Sequence, residues 1–234
     1  MATITVHNIS YAFPGARGLF FDNLSLVIPT TGITFLRGKN GVGKSTLLHA
    51  IAGQLYAGTV SGQLITPDTT IELADSALVR QHVALVTQEV NNALALSYTV
   101  RMNLLGAACT QAVGFNFLPA QAAHEELLAS CGIAPEALVG QLSGGQRQMV
   151  AVVSMLQKNR QLLVLDEPTA ALDEVNTQRL FSLILQMQSQ HPFAVLCITH
   201  DDAVMQRFDN GASLVLAEKN GIRVVSPCGA WGPQ

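Results

Sequence analysis

The first thirty residues alternate between apolar and polar positions. Within Ile4–Val6 and Leu24–Ile28 every second residue is apolar, which is the period at which the side chains of a β-strand face the same side. Stretches rich in proline and glycine, Pro14–Gly18 and Pro29–Gly32, supply turns around these segments. The pattern predicts an N-terminal layer of half-exposed antiparallel strands.

Four later segments are short, apolar and bounded by polar or glycine-rich residues, as is typical of the buried strands of a parallel sheet. These segments are Ile33–Arg37, Val83–Thr87, Leu162–Asp166 and Phe193–Thr199. Ligands of parallel α/β sheets bind at the carboxyl ends of the strands. The residues at those ends, Gly38, Gln88, Asp166 and His200, are therefore candidates for a functional site.

Helical patterns occupy the rest of the chain. Lys44–Gly53 directly follows the first apolar strand and is predicted to be a helix that ends at its glycine. From about Asn91 to Gly140 the chain is rich in Ala, Leu and Gln and has few strand signals. We interpret this stretch, together with the helix that follows, as a helical lobe spanning about residues 91–155, inserted into one α/β domain of residues 1–234.

Two further elements are predicted near the C-terminus. Ser213–Val225 is typical of a hairpin. The segment Glu174–Gln188 is predicted to be a helix whose apolar residues recur at helical intervals and pack into the core. Those residues are Val175, Phe181, Ile184 and Met187.

Composition narrows the class of protein. Of the 234 residues, 49% are hydrophobic and only 12% are charged, and the net charge is −3. There is no run of Lys or Arg, so nucleic acid is not favoured as a partner. No apolar run approaches the roughly 18 residues of a membrane span, and we expect a soluble chain.

Four scattered cysteines without a CxxC pair predict reduced thiols and no zinc site. They are Cys109, Cys131, Cys197 and Cys228.

The stretch "GKNGVGKST" at Gly38–Thr46 matches the pattern GxxxxGK[ST] in full. Its glycines allow backbone N–H groups to form a concave anion site at a helix N-terminus. Lys44 can reach the β- and γ-phosphates of a nucleotide, and the Ser45 hydroxyl can bind Mg²⁺. The pattern alone leaves kinase, GTPase and ATPase open. The residues predicted to contact the nucleotide here are Gly38, Asn40, Gly41, Val42, Gly43, Lys44, Ser45 and Thr46.

Two acids follow the apolar strand "LLVLD". Asp166 is placed to hold the Mg²⁺ shell, and Glu167 can orient or deprotonate the attacking water. The alternative is a surface acid pair that caps the turn before Pro168. The presence of the glycine loop favours the catalytic interpretation.

A second anion site is predicted at "LSGGQ", Leu142–Gln146, where a serine and two glycines begin a helix. One nucleotide needs two such sites only if they face it from opposite sides. The simplest arrangement is a head-to-tail pair of chains in which each lends this site to the other's nucleotide. Taken alone, the stretch would be better interpreted as a common flexible turn.

In order and spacing these motifs resemble those of the ATP-binding subunits of ABC transporters over nearly the whole chain. The resemblance implies an ABC ATPase fold, in which a P-loop NTPase parallel-sheet core carries an N-terminal antiparallel β layer and an inserted helical lobe. It implies ATP and Mg²⁺ as cofactors, and ATP held between two protomers. The matching motifs are Walker A at Gly38–Ser45, the Q-loop Gln88, the signature Leu142–Gln146, Walker B at Leu162–Asp166, the catalytic Glu167, the D-loop Ala170–Asp173 and the switch His200.

The resemblance also assigns roles to single residues. The catalytic residues it implies are Glu167, His200, Gln88 and Lys44. The metal ligands it implies are Ser45, Gln88 and Asp166. The partner's nucleotide is contacted by Ser143, Gly144, Gly145, Gln146 and Asp173. An aromatic ring stacks on adenine, and the matching position is Phe13, with Tyr11 as the second choice. The other histidines are predicted to be ordinary core or surface residues: His7, His49, His82, His124 and His191.

Three residues depart from the family pattern. Met149 and Ser154 stand where the signature helix usually has arginines, and Ala170 stands where the D-loop usually begins with serine. We expect these departures to change the polar contacts that tie the signature helix to its neighbours. The residues predicted to act on phosphate and Mg²⁺ are all present, so we expect an active ATPase.

The resemblance predicts a subunit that hydrolyses ATP to drive transport through separate membrane subunits. Its partners would be a second copy or a paralogous ATPase subunit, integral membrane permease subunits and a substrate-binding protein, without nucleic acid. Its location would be the cytoplasmic face of the membrane, with Thr99–Gly106 facing the permease. Import of a small molecule is favoured, while export of a haem- or lipid-like cargo stays open. The alternatives are a soluble ABC ATPase acting on ribosomes, DNA or cluster assembly, and a P-loop kinase.

Overall fold

The computed structural model describes residues 2–55, 57–87, 93–108, 118–157, 160–170, 172–219 and 221–228. Within these ranges the strands are β1 (Thr3–Ala12), β2 (Phe21–Pro29), β3 (Thr34–Arg37), β4 (Thr59–Ile65), β5 (Thr70–Glu72), β6 (Val83–Thr87), β7 (Leu162–Asp166), β8 (Ala194–Ile198), β9 (Leu214–Lys219) and β10 (Ile222–Pro227). The α-helices are α1 (Lys44–Ile51), α2 (Ser76–His82), α3 (Val100–Ala108), α4 (Leu118–Ser130), α5 (Gly144–Leu156), α6 (Glu174–Gln190) and α7 (Asp202–Phe208). No helix in the described ranges is both long enough and apolar enough to span a bilayer.

The first sheet has the strand order β2-β1-β4-β5, and its neighbouring strands are antiparallel. Leu24, Leu26 and Ile28 of β2 are buried, and the residues between them are exposed. The alternation predicted from the sequence is therefore confirmed. One face of this sheet is covered by the core and the other faces solvent.

The second sheet has the order β10-β9-β3-β8-β7-β6 and is parallel except for β10. Every residue of β8 is buried, as is every residue of β7 except Asp166, because helices and the first sheet cover the two faces. The hairpin predicted at Ser213–Val225 is confirmed as β9 and β10. The parallel arrangement brings the carboxyl ends of β3, β7 and β8 to one edge of the sheet.

Two apolar clusters stabilise this arrangement. One lies between the first sheet, α1 and the parallel sheet, and the other joins the parallel sheet to α3, α5 and α6. Phe181, Ile184 and Met187 of α6 are buried as predicted, but Val175 is wrong as a core residue, since 57% of it is exposed. Val175 lies in the first turn of α6, at a helix end that the core does not cover.

The described α-helices between residues 93 and 156 are α3, α4 and α5. A short 3₁₀ helix spans Val139–Gln141, and an isolated bridge joins Thr99 to Leu138. Arg101 ties α3 to its surroundings by ion pairs of 2.8 Å with Glu125 and with Glu136. Donation to Glu125 is the main reason that the pKa of Arg101 is raised above its usual value. The boundaries of the inserted lobe stay a prediction.

The departures on α5 have a structural consequence. The side chain of Met149 is wholly buried in the apolar cluster beneath α5. Ser154 is also buried, and its hydroxyl has no hydrogen-bond partner. At these two positions α5 is therefore held by apolar packing, without a polar contact to its neighbours.

Candidate functional site

The glycine loop between β3 and α1 has the backbone of an anion site. Gly41 and Gly43 have positive φ angles of 78° and 107°, which glycine adopts without steric cost. A Cβ atom on Gly43 would lie 2.6 Å from the ring of Phe20. The Lys44 ammonium donates to the carbonyls of Gly38 at 2.9 Å and Lys39 at 3.2 Å. The loop therefore presents its lysine and the N-terminus of α1 to the same space.

That space is a cleft of about 360 Å³. It brings together residues of the glycine loop with residues that follow β7 and β8. Its lining residues are Phe20, Asn40, Gly41, Gly43, Lys44, Ser45, Thr46, Glu167, Ile198 and His200. Most of the residues predicted from the loop, together with both predicted catalytic residues after the strands, thus share one cavity.

Asp166 is not among the residues that line the cleft, but its carboxylate contacts Ser45, which is one of them. The Ser45 hydroxyl donates to its Oδ1 atom at 3.1 Å, although the two residues are 121 positions apart. On its other side, Oδ2 lies 3.7 Å from Nε2 of His49. Nothing in the sequence pointed to His49 here, because it is the sixth residue of α1 and lies within an ordinary apolar helical pattern.

Glu167 and His200 face each other across the cleft, with Nε2 of His200 lying 3.1 Å from Oε1 of Glu167. Glu167 has a φ of +50°, which is rare for a residue with a side chain and frequent at functional sites. Its backbone N–H donates to the carbonyl of Ile198 at 3.0 Å. In the same two turns, the buried hydroxyls of Thr169 and Thr199 lie 3.0 Å apart. These contacts fix the position of each turn relative to the other.

The signature motif begins α5 with a reciprocal cap. The backbone N–H of Gln146 donates to the Ser143 hydroxyl at 3.3 Å. The backbone N–H of Ser143 donates to the side-chain oxygen of Gln146 at 3.0 Å. A Cβ atom on Gly145 would come within 2.9 Å of Asn176. The Asn176 N–H donates to Asp173 at 2.7 Å. The contact between Gly145 and Asn176 therefore connects the signature to the D-loop within one protomer.

None of Ser143, Gly144, Gly145, Gln146 and Asp173 lines the phosphate-loop cleft of the same protomer. Ser143 and Gly144 are instead exposed at the protein surface.

The candidates for adenine stacking differ in exposure. Tyr11 is buried and donates its hydroxyl to the carbonyl of Ala57 at 2.9 Å, so neither face of its ring is free for a base. Phe13 is 42% exposed. Its ring lies 4.8 Å from that of Phe20, which lines the cleft. Phe13 stays the predicted adenine residue.

Some predicted positions lie outside the described residues, and two residues at the glycine loop were not identified from the sequence. Gln88, Cys109 and part of the D-loop are outside the described residues. Phe20 was missed, although an aromatic pair at Phe20–Phe21 is visible in the sequence next to the predicted layer. Arg223 was missed because nothing near it in the chain points to the glycine loop, whereas in the structure it donates to the carbonyl of Val42 at 2.8 Å.

Cys197 lies on β8 next to the acidic residues of the cleft. Burial raises the pKa of its thiol well above the usual range, and the charges of Glu167 and Asp166 raise it further. A raised pKa lowers the fraction of reactive thiolate at any given pH. We expect Cys197 to resist iodoacetamide at pH 8 in the folded protein, while the half-buried Cys131 and Cys228 react. Peptide mass spectrometry after alkylation, with and without urea, measures this, and rapid native labelling of Cys197 would contradict it.

Comparison with known proteins identifies the family to which this chain belongs. The family model described as "ABC transporter" matches residues 21–170. The xylose import ATP-binding protein XylG of Shigella flexneri serotype 5b is 34% identical over 201 residues, which cover 84% of this chain and 38% of that protein. The L-arabinose transport ATP-binding protein AraG of Geobacillus stearothermophilus is 31% identical over the same shares of the two chains. The chain thus spans 38% of the length of these curated relatives.

Solved structures show the same fold. A nucleotide-free ATP-binding cassette from an ABC transporter superposes with a TM-score of 0.71 at 22% identity, over 95% of this chain and 90% of that one. The structure of cbiO1 from Clostridium perfringens, part of the ABC transporter complex cbiONQ, gives a TM-score of 0.73 at 25% identity. It covers 94% of this chain and 86% of that one. The predicted fold class is confirmed.

Proposed function

This chain belongs to the ABC transporter family, and from that membership we propose that it hydrolyses ATP to drive transport through separate membrane subunits. The observation that carries the proposal is the arrangement of one cleft. The Ser45–Asp166 contact of 3.1 Å and the Glu167–His200 contact of 3.1 Å both lie at the glycine loop. This cleft places a metal-binding pair next to a candidate general base, as hydrolysis of a nucleotide requires.

The donors at Ser45 and Asp166 fit Mg²⁺. A hydroxyl and one carboxylate are the protein ligands that this ion typically takes in nucleotide sites, where phosphate oxygens and waters complete its shell. When bound, the ion neutralises charge on the β- and γ-phosphates. Lys44, which lines the same cleft, adds a second positive charge. The predicted ligand Gln88 lies outside the described residues.

Glu167 is the proposed general base. Its carboxylate accepts or orients the proton of the water that attacks the γ-phosphate. His200 is within hydrogen-bonding distance of that carboxylate and is 62% exposed, so it can also reach the phosphate. In this role His200 orients Glu167 and senses the γ-phosphate. The strained backbone of Glu167 keeps the carboxylate on the cleft side of the turn.

A complete site requires a second protomer. The exposed Ser143 and Gly144 form an anion site that the phosphate-loop cleft of the same chain does not use. We propose that a second copy or a paralogous subunit packs head to tail and applies this anion site to the γ-phosphate. Closure on two ATP molecules and reopening after hydrolysis would then transmit force.

The proposed membrane partner contacts the segment near Thr99–Gly106. A groove of about 440 Å³ lies here, lined in part by Leu94, Tyr98 and Met102. Tyr98 and Met102 are each at least half exposed. Permease subunits, with a substrate-binding protein as a further partner, would place the chain at the cytoplasmic face of the membrane. The relative named for xylose import supports import over export, and both this relative and the one named for L-arabinose transport support a small-molecule substrate.

The test is a pull-down of tagged Glu167→Gln protein from detergent-solubilised membranes with MgATP, followed by mass spectrometry. The expected result is stoichiometric recovery of a membrane protein with several spans. A matched pull-down with ADP should recover less of it. Recovery of soluble partners, ribosomes or nucleic acid alone would overturn the proposal in favour of a soluble ABC ATPase.

The adenine contact gives a separate prediction. Stacking of a base on an aromatic ring contributes roughly 1–3 kcal/mol, so Phe13→Ala should weaken MgATP binding by about tenfold. Tyr11→Phe removes only the hydroxyl that donates to Ala57 and should leave ATP affinity unchanged. Fluorescence titration with a labelled ATP analogue measures both. Equal affinities for wild type and Phe13→Ala would show that the Phe13 ring does not contact adenine.

A further inference from the structure

The C-terminal hairpin, β9 and β10, contacts the glycine loop at both of its ends. At the start of the loop, a Cβ atom on Gly38 would clash with the Leu216 carbonyl of β9. At the end of the loop, Arg223 of β10 donates from Nε to the carbonyl of Val42 at 2.8 Å. The hairpin therefore packs against the glycine loop without lining the cleft, although it contains none of the recognised motifs.

Arg223 also holds the aromatic side of the loop. It donates from Nη1 to the carbonyl of Phe20 at 3.2 Å, and its guanidinium carbon lies 3.7 Å from the centre of that ring. The Phe20 ring in turn packs against Gly43, where no Cβ could be accommodated. Arg223, Phe20 and Gly43 thus form one continuous stack that ends at Gly43, directly before the first residue of α1.

The charge of Arg223 is balanced by a partner that faces solvent. Its Nη2 atom lies 3.2 Å from Glu218 of β9. The Arg223 side chain is only 17% exposed, whereas that of Glu218 is 49% exposed. The planar guanidinium makes its contacts with two carbonyls, a ring face and a carboxylate in one fixed geometry, which a lysine ammonium cannot reproduce.

We propose that Arg223 is a positioning residue for the phosphate loop. By fixing the Val42 carbonyl and the Phe20 ring on two sides of Gly43, it holds the peptide units that aim loop N–H groups at the phosphates. Loss of this hold lets the loop sample other orientations, so ATP binding weakens. The step of hydrolysis is unaffected once ATP is bound, because Arg223 does not contact the reacting groups. This inference rests on the proposed ATP site.

The test compares Arg223→Lys with wild type by titration of MgATP and by steady-state ATP turnover. The expected result is a dissociation constant and KM raised about tenfold, with kcat within twofold. Glu218→Gln removes the ion pair but keeps both carbonyl contacts, and should change ATP affinity less than twofold. Arg179→Lys, on the exposed face of α6, is a matched control for the substitution itself.

Amide hydrogen exchange separates loop positioning from general destabilisation. In Arg223→Lys the amides of residues 41–44 should exchange faster, while those of β7 keep their wild-type protection. If Arg223→Lys fails to fold, Phe20→Leu, which removes the ring face but keeps an apolar contact with Gly43, should still raise KM about threefold at constant kcat.

The outcomes also separate this inference from the function on which it rests. Wild-type protein that binds no MgATP would overturn the proposed function. Wild-type binding together with an unchanged affinity in Arg223→Lys would overturn the positioning role alone. A loss of kcat at unchanged KM would likewise contradict it.

Discussion

Glu167→Gln is expected to lower ATP turnover by roughly 10³-fold, because positioned general bases contribute about 10²–10⁴-fold to such reactions. An amide of the same shape still fits beside His200, where the carboxylate now lies at 3.1 Å, but it cannot accept the proton of the attacking water. ATP should bind and remain intact. The head-to-tail dimer should therefore accumulate with MgATP, which size-exclusion chromatography with light scattering measures beside a phosphate-release assay.

Glu72→Gln is the matched control for this experiment. Glu72 lies on β5 and contacts Gln63 at 2.7 Å, in the sheet that does not supply the catalytic turns. Its turnover should equal that of the wild type. If the turnover of Glu167→Gln lies within tenfold of the wild-type value, Glu167 is not the general base.

Gly144→Asp is expected to abolish the ATP-dependent dimer while leaving the fold intact. No atom lies within 4 Å of a Cβ placed on Gly144, and an acid in the first turn of α5 is compatible with the helix dipole. In the proposed dimer the new carboxylate would face the γ-phosphate of the other protomer. Two like charges about 4 Å apart at an effective dielectric constant of 20 repel by about 4 kcal/mol, so turnover should fall by at least about 100-fold.

ATP binding by the single protomer should be unchanged in Gly144→Asp, because Gly144 does not line the phosphate-loop cleft of its own chain. Gly144→Asn, which has the size of the aspartate variant but no charge, should retain most of the turnover. Weakened ATP binding by the isolated Gly144→Asp protomer would contradict a site shared between chains.

Mixing two inactive variants provides a test of the head-to-tail arrangement. Lys44→Ala impairs the loop of its own chain, and Gly144→Asp impairs the site lent to the partner. In a mixed dimer one composite site carries both defects and the other carries neither. Partial recovery of turnover on mixing is therefore expected, and no recovery would indicate that each chain completes its own site.

Much of the candidate site could be predicted because its parts are contiguous in the chain. The glycine loop is recognisable since its turn requires glycine at fixed positions next to a lysine. Asp166 and Glu167 end a strand whose apolar run marks it as buried. For the same reason the parallel strands and the C-terminal hairpin were predicted close to their observed bounds.

The failures arise where a result depends on which elements become neighbours. Helical spacing predicted Val175 as a core residue, but spacing does not reveal where the core ends along a helix. The prediction that His49 is an ordinary core or surface residue missed its distance of 3.7 Å from Asp166. Phe20 directly precedes β2 of the first sheet, Arg223 lies on β10 of the second, and only the packing of the two sheets brings them together.

The sequence by itself determined the local chemistry: an anion-binding loop, an acidic strand end, a capped second anion site and the periodicities of the two layers. These properties depend on the backbone preferences and polarity of neighbouring residues. The tertiary structure alone decided the order of the strands, and with it the contact of Ser45 with Asp166 and of Glu167 with His200. It also placed Arg223 against the glycine loop and left Ser143 and Gly144 exposed. Those results follow from burial of apolar faces between whole elements, a non-local free energy that no single stretch of sequence contains.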